Sequence, residues 1–212
     1  MRPPGVAVPG LCAWLLCALL PAAELAASPL GDAVRLYKAR HYAEAEALLL
    51  PLASAEPADP SACYYLAMAL QRLGGDKALD SARTWLGKAV ARAPDNEVYV
   101  AEYAGVCFLL ADRDSSYSMA QEGRDSMVRA VELDPGDLEA REGLMKFYAQ
   151  APWPLGDADK AFVEAMEIAK RDPKRGAEAY RAMASIFEKV GRADRAQTAT
   201  AAAQNLARAG SR

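Results

Sequence analysis

Four prolines recur at nearly equal distances along the chain, and each follows a stretch with helical spacing of apolar residues. Pro57, Pro94, Pro135 and Pro173 are separated by 37, 41 and 38 residues. A period in this range is typical of arrays that repeat one helical unit. Because the residue before a proline is pushed out of the helical region, each proline predicts a place where one helix stops and a connector begins.

Residues at fixed distances before the prolines indicate how the helices pack. Small residues lie twelve positions before each proline, and apolar residues lie eight positions before it. Two helices can approach closely only where the side chains at their crossing are small. The small residues are Ala45, Ala82, Gly123 and Ala161, and the apolar ones are Leu49, Leu86, Met127 and Ala165.

This pattern resembles the tetratricopeptide repeat (TPR) family, whose unit of about 34 residues is a helix, a turn and a second helix. The resemblance implies an all-α fold, a right-handed α-solenoid of about five TPR-like helical hairpins. The corresponding units span about 30–57, 61–94, 97–135, 138–173 and 176–208.

Two units are longer than the family repeat because of insertions at the turn inside the hairpin. The insertion in the third unit, residues 112–118, predicts a longer solvated turn. Acidic and hydroxyl side chains alternate there as calcium ligands do, but Tyr117 stands where a calcium loop needs glycine and Gly123 where it needs glutamate, which argues against calcium.

The insertion in the fourth unit, residues 151–157, places two prolines around Trp153 and predicts a stiff loop. We expect Trp153 to pack over the helix pair beneath it rather than to bind a ligand. Tyr117 and Trp153 would then lie near each other on one edge of adjacent units. Because loops longer than a hairpin needs are often functional, this insertion edge is a candidate binding surface.

The first 27 residues differ in kind from the rest of the chain. Arg2 precedes a short apolar run from Leu11 to Leu20, and Ala27 is a suitable last residue before cleavage. This arrangement predicts a secretory signal peptide over 1–27, a repeat domain over 28–208 and a frayed tail over 209–212. We therefore expect an exported protein, periplasmic or secreted. An uncleaved anchor is the alternative, although the run is about half of the roughly 20 residues that span a bilayer.

Removal of residues 1–27 would leave two cysteines, Cys63 and Cys107, in an oxidising compartment. A disulfide between them is one interpretation. The other, which the repeat register favours, is that both are small buried hydrophobic residues.

The residue inventory argues against an enzyme. His41 is the single histidine of the 212 residues and lies in a predicted turn with no neighbouring cysteine, which argues against a Ser-His-Asp, Cys-His or histidine-rich metal site. No phosphate-cradling motif is present. We expect no catalytic residue, no metal and no cofactor. The formal net charge of −3 and the lack of a basic stripe likewise argue against nucleic acid as a partner.

The resemblance implies that the first helix of each hairpin lines a concave groove that binds proteins or peptides. Aromatic, basic and amide side chains fall at the groove positions, although each ring could instead pack between hairpins. The family's carboxylate clamp is half present, with Lys38 and Arg72 but without its asparagines. The candidate residues are Tyr37, Lys38, Tyr64, Met68, Gln71, Arg72, Phe108, Glu142, Lys146, Tyr180 and Phe187.

These observations predict a non-enzymatic scaffold or adaptor that binds another protein or an extended peptide in the cell envelope. The alternative is a small-molecule binding protein of a transport or envelope-assembly system, in which the two insertions cover a cavity.

Overall fold

A computed structural model describes residues 28–75 and 77–209, and this part of the chain forms ten helices and no strand. Successive helices pair into five hairpins that stack in chain order, so the predicted all-α solenoid is confirmed. The helices are α1 Pro29–Lys38, α2 Tyr42–Ala53, α3 Pro60–Leu73, α4 Ala78–Arg92, α5 Glu97–Asp114, α6 Tyr117–Leu133, α7 Leu138–Gln150, α8 Ala158–Arg171, α9 Pro173–Lys189 and α10 Ala193–Ala209.

The predicted signal peptide and residues 210–212 lie outside the described residues. Ala209, which we assigned to the tail, is the last residue of α10. None of the described helices is both long enough and apolar enough to cross a membrane.

Short polar side chains and prolines set the ends of the helices. Asp59, Asn96 and Asp137 cap α3, α5 and α7 by accepting hydrogen bonds from backbone N–H groups of the first turn. Asp134, directly before Pro135, leaves the helical region and ends α6 as predicted. Pro173 has a different role, because it is the first residue of α9, where a proline loses no hydrogen bond.

The small residues predicted at the helix crossings are buried. Ala45, Ala82, Gly123 and Ala161 all lie inside the solenoid, as do the apolar residues four positions after them. A Cβ atom on Gly123 would lie 2.7 Å from the ring of Phe108 on α5. The repeat therefore places a side chain too small to separate the helices at each crossing, and this prediction is confirmed.

A close contact between α8 and α9 supports a prediction about two glycines. A Cβ atom on Gly176 would lie 2.4 Å from the backbone of Ala169, whereas one on Gly105, inside α5, would meet nothing within 4 Å. We expect Gly176→Ala to lower the free energy of unfolding by about 1 to 3 kcal/mol, because α8 and α9 must separate. Gly105→Ala is the matched control and should raise it by about 0.5 to 1 kcal/mol, because alanine favours the helix. Urea unfolding measures both free energies. If the two substitutions change the free energy of unfolding in the same direction, the proposed close approach of α8 and α9 is contradicted.

The insertion in the third unit does not form the longer solvated turn that we predicted. Helices α5 and α6 extend through it, to 18 and 17 residues, and only Ser115 and Ser116 separate them. Ser115 takes the left-handed conformation that reverses the chain, and Ser116 caps α6. Seven residues are about two helical turns, so the insertion lengthens the hairpin without changing which faces pack.

The insertion in the fourth unit is a loop between α7 and α8, but the prediction for Trp153 is wrong. Its side chain is 86% exposed, whereas Leu155, two residues later, is buried. The buried side chain of this loop is therefore a leucine and not the tryptophan.

Both cysteines are free and buried, which agrees with the interpretation that they pack as hydrophobic residues. Burial raises the pKa of the Cys63 and Cys107 thiols above the usual value. Neither thiol is therefore activated as a nucleophile at neutral pH.

Candidate functional site

The candidate residues of the first two hairpins lie in a chain of neighbouring tyrosine rings. Tyr37 contacts Tyr42 and Tyr65 with ring centroids 5.5 Å apart in each case. Tyr64 stacks on Tyr99 of α5 at 5.0 Å and meets Tyr65 edge-on. Tyr37 and Tyr64 are half-buried, so they join hairpins to one another and keep only part of their surface for a ligand.

Beside this chain of rings, α3 and α5 bring charged and polar groups together. Arg72 is exposed at the end of α3, and Gln71 donates a 3.5 Å hydrogen bond to the sulfur of Met68. Glu102 of α5 is half-buried, and burial raises the pKa of its carboxyl group against the opposing charge of Arg72. Burial, followed by the charge of Glu102, also raises the pKa of Tyr64.

Glu102 has neither a hydrogen-bond nor an ion-pair partner in the described part of the chain. Arg72 influences it through space but forms no direct ion pair with it, and Glu139 of α7 adds a second negative charge nearby. A carboxylate that has lost part of its hydration and gained no donor is stabilised by a partner that supplies one. Glu102 was not among the residues predicted from the sequence, because nothing around it in the chain marks it.

This environment predicts a pH-dependent effect of Glu102→Gln. A carboxyl group with a raised pKa favours the folded state when protonated, and that contribution is lost as pH rises above its usual value of 4.5 through the raised pKa. We therefore expect the amide variant to melt at a higher temperature than the wild type at about pH 7 and to differ little at about pH 4. An equal difference at both pH values, measured by thermal unfolding, would show that burial of the charge is not the cause.

The last hairpin does not contribute the groove residues that we predicted. Phe187 is completely buried and Tyr180 is almost so. Both rings contact Phe162 of α8, with centroids 6.0 and 6.1 Å away. These two side chains point into the core because α9 packs against α8 on that face, and they are not available to a partner.

In the fourth hairpin, the two charged candidates pair with each other. Lys146 lies 2.7 Å from Glu142, and Arg175 of α9 lies 3.6 Å from the same carboxylate. The hydrogen bond from Lys146 lowers the pKa of Glu142, and Arg175 adds to the shift. Lys38, at the end of α1, is exposed.

An apolar cavity of about 620 Å³ lies between α5 and α7. Phe108 and Phe147 stack at 4.7 Å and form part of its wall. Gly143 lines it without a side chain. The start of α6 and the loop between α7 and α8 close one end through Tyr117 and Leu155. A mostly apolar cleft of this size is within the range of ligand sites in proteins.

The cavity joins groove positions to the insertion edge. Phe108 and Lys146 from the predicted groove and Tyr117 from the predicted edge all line it, whereas Trp153 does not. Sequence analysis missed Leu109, Phe147 and Leu155. The helical spacing of Leu109 and Phe147 could have indicated them, but both are equally typical of core positions.

The described residues contain no group of three or more His, Cys, Asp and Glu side chains placed to hold a metal ion. His41 is exposed at the start of α2, where its Nδ1 atom lies 2.9 Å from the carboxylate of Glu44. The site consists of rings, aliphatic side chains and isolated charges, which suit binding.

Solved structures with similar folds include MamA and a TPR protein. The structure named MamA MSR-1 C2 aligns with a TM-score of 0.65 at 20% identity and covers 86% of this chain and 96% of that chain. Another MamA structure aligns with a TM-score of 0.67 at 17% identity and covers 84% and 89%. TTC0263, a thermophilic TPR protein of Thermus thermophilus, aligns with a TM-score of 0.58 at 23% identity and covers 84% and 90%.

No protein-family model matches the sequence, and no curated protein matches it either. The similarity to solved structures extends over most of both chains but stays below 25% identity, so it concerns the fold. Together with the five stacked hairpins, it shows that this chain has the tetratricopeptide repeat fold.

Proposed function

We propose that this protein is a non-enzymatic scaffold or adaptor that binds another protein or an extended peptide across α3, α5 and α7, and that it acts in the cell envelope after export. The unpaired carboxylate of Glu102, beside the exposed Arg72, carries the proposal. These groups lie on the first helices of adjacent hairpins, where a partner chain could supply a hydrogen-bond donor to one and an acceptor to the other.

The experiment is capture of partners from an envelope extract with the chain from Ser28 onwards as bait. We expect a reproducible partner whose recovery falls with Arg72→Ala and with Tyr64→Ala. Arg92→Ala is the matched control, because Arg92 also forms the end of a helix but pairs with Glu56 in the connector before α3. If the Arg72→Ala and Tyr64→Ala variants recover as much of the partner as the wild type does, the proposed location of the binding surface is wrong.

The proposal of export rests on the composition of residues 1–27 and has its own test. We expect the protein purified from its source to begin at Ser28, as measured by intact mass and N-terminal sequencing. A full-length mass in the membrane fraction would favour an N-terminal anchor, and a full-length mass in the cytoplasmic fraction would contradict export.

The cavity between α5 and α7 supports a second candidate, a small-molecule binding protein of a transport or envelope-assembly system. Its volume and apolar wall suit a compact organic ligand. Native mass spectrometry of protein freshly isolated from its source distinguishes the two functions. A stoichiometric bound compound would support the second candidate, and its absence would support the peptide-binding scaffold.

A further inference from the structure

Exposed apolar and aromatic side chains lie on the cavity wall and in the loop beside it. Leu109 lines the cavity and is 51% exposed, and Tyr117 lines it and is 55% exposed. Trp153 lies in the loop between the lining residues Pro152 and Leu155 and is 86% exposed. A compact ligand inside the cavity would leave Trp153 in water and would cover only the parts of Leu109 and Tyr117 that face it. A partner wide enough to cover them as well gains far more from the hydrophobic effect.

We infer that the cavity is the docking site for an amphipathic helical segment of a partner protein that carries basic residues beside its apolar face. This inference rests on the proposed scaffold function and names the chemistry of its partner. The volume of about 620 Å³ accommodates more than one side chain. Apolar side chains spaced three and four residues apart on a helix enter such a cleft together, as in other complexes where a helix binds in a groove.

The charges at the cavity favour a basic partner. Lys146 lines the cavity on the α7 side and pairs with Glu142, whose carboxylate also lies 3.6 Å from Arg175. Asp112 of α5 lines the cavity and has no ion-pair partner in the described part of the chain, because the neighbouring Arg113 pairs with Asp80 and Asp114. The charge on the α5 side of the opening is therefore negative, and a lysine or arginine of the partner placed beside Asp112 would neutralise it.

The site can be tested with defined peptides rather than with an unknown ligand. The probes are three fluorescein-labelled peptides of about 18 residues, long enough to form a helix, with leucines at helical spacing on one face. The other face carries lysine, glutamate or glutamine. Fluorescence anisotropy should show that the lysine peptide binds most tightly, the glutamine peptide more weakly and the glutamate peptide weakest of the three.

Two variants locate the binding. Leu109→Gln changes an exposed side chain of the cavity without changing the charge, and we expect it to weaken binding of the lysine peptide by about tenfold. Val163→Gln is the matched control, since Val163 is 50% exposed on α8 but does not line the cavity, and it should leave binding unchanged. Equal weakening by both substitutions, or by neither, would overturn the assignment of the cavity.

A charge exchange tests the role of Asp112. We expect Asp112→Lys to reverse the order of the lysine and glutamate peptides. Asp95→Lys makes the same change in net charge at an exposed turn, away from the cavity, and should keep the original order. Reversal by both variants would show a general effect of net charge and contradict a specific ion pair at Asp112.

The remaining outcomes separate this inference from the scaffold function. One outcome is that no peptide binds, while the dye 1-anilinonaphthalene-8-sulfonate binds the wild type but not the Leu109→Gln variant. The cavity then binds small molecules, and the inference is wrong. If a partner captured from the extract depends on Arg72 but not on Leu109, the scaffold function stands and the cavity is not its docking site.

Discussion

Replacing Phe187 with alanine should lower the free energy of unfolding by about 3 to 5 kcal/mol. The ring is completely buried in the core cluster that contains residues of α8, α9 and α10, and it stacks on Phe162. Its removal leaves a cavity where the last two hairpins meet, and neighbouring helices can close it only in part. Urea unfolding followed by circular dichroism measures the loss.

The matched control is Trp153→Ala, which removes a larger aromatic side chain that is almost fully exposed. We expect a change within about 0.5 kcal/mol. A small loss for Phe187→Ala would return this residue to the set of groove candidates. A loss of several kcal/mol for Trp153→Ala would restore the packing function that the sequence suggested.

The second large effect is expected where α7 meets α8. Arg141 is buried, lies 2.7 Å from the carboxylate of Glu164 and donates a 2.9 Å hydrogen bond to the carbonyl oxygen of Pro135. Glu164→Leu leaves the guanidinium group without its counter-charge, and we expect a loss of about 3 to 5 kcal/mol. The double substitution Arg141→Met with Glu164→Leu should recover most of that loss, because no charge then remains buried.

Urea unfolding of the single and double variants measures this difference directly. Glu167→Leu serves as the control on the same helix, because Glu167 pairs with Lys170 and Arg171 at the surface, and its effect should be small. If the double variant is as unstable as the single one, the loss comes from the shape of leucine at position 164. The unpaired charge of Arg141 would then not be its cause.

The parts of the fold that could be predicted are those that repeat. Ala45, Ala82 and Gly123 occupy the same place in successive hairpins. The need for a small side chain at the helix crossing is therefore visible in the sequence at each repeat. Asp134 could be predicted for a local reason, because Pro135 restricts the residue before it. In each case the physical cause lies within one unit or recurs in the next.

The candidate site depends on contacts between repeat units, and the spacing of residues along the sequence does not predict these contacts. Glu102 is unusual because the fold half-buries its carboxyl group and brings Arg72 and Glu139, on two other helices, near it. Phe187 and Tyr180 fall at groove positions by register, but Phe162 of α8 covers them. The groove positions of the family therefore predict exposed residues in this chain only where the neighbouring helix does not cover the first helix of the hairpin.

The insertions show a different limit. Polar and small residues around Ser115 favoured a turn, yet a turn needs only two of them, and the rest extend α5 and α6. In the fourth unit, side-chain size indicated Trp153 as the packing residue, but the course of the loop buries Leu155. Hydrophobicity alone does not determine which residue of an irregular loop faces inward.

The lengthened hairpin of α5 and α6 also affects the conformational entropy that is lost when a partner binds. Phe108, Leu109 and Asp112 are fixed on a continuous helix rather than on a flexible turn, and Tyr117 begins another helix capped by Ser116. This wall of the cavity is preorganised, so little conformational entropy is lost from it when a ligand binds. The entropic penalty then falls mainly on the partner, and a partner segment that is already helical in isolation should bind more tightly than one that must fold on the surface.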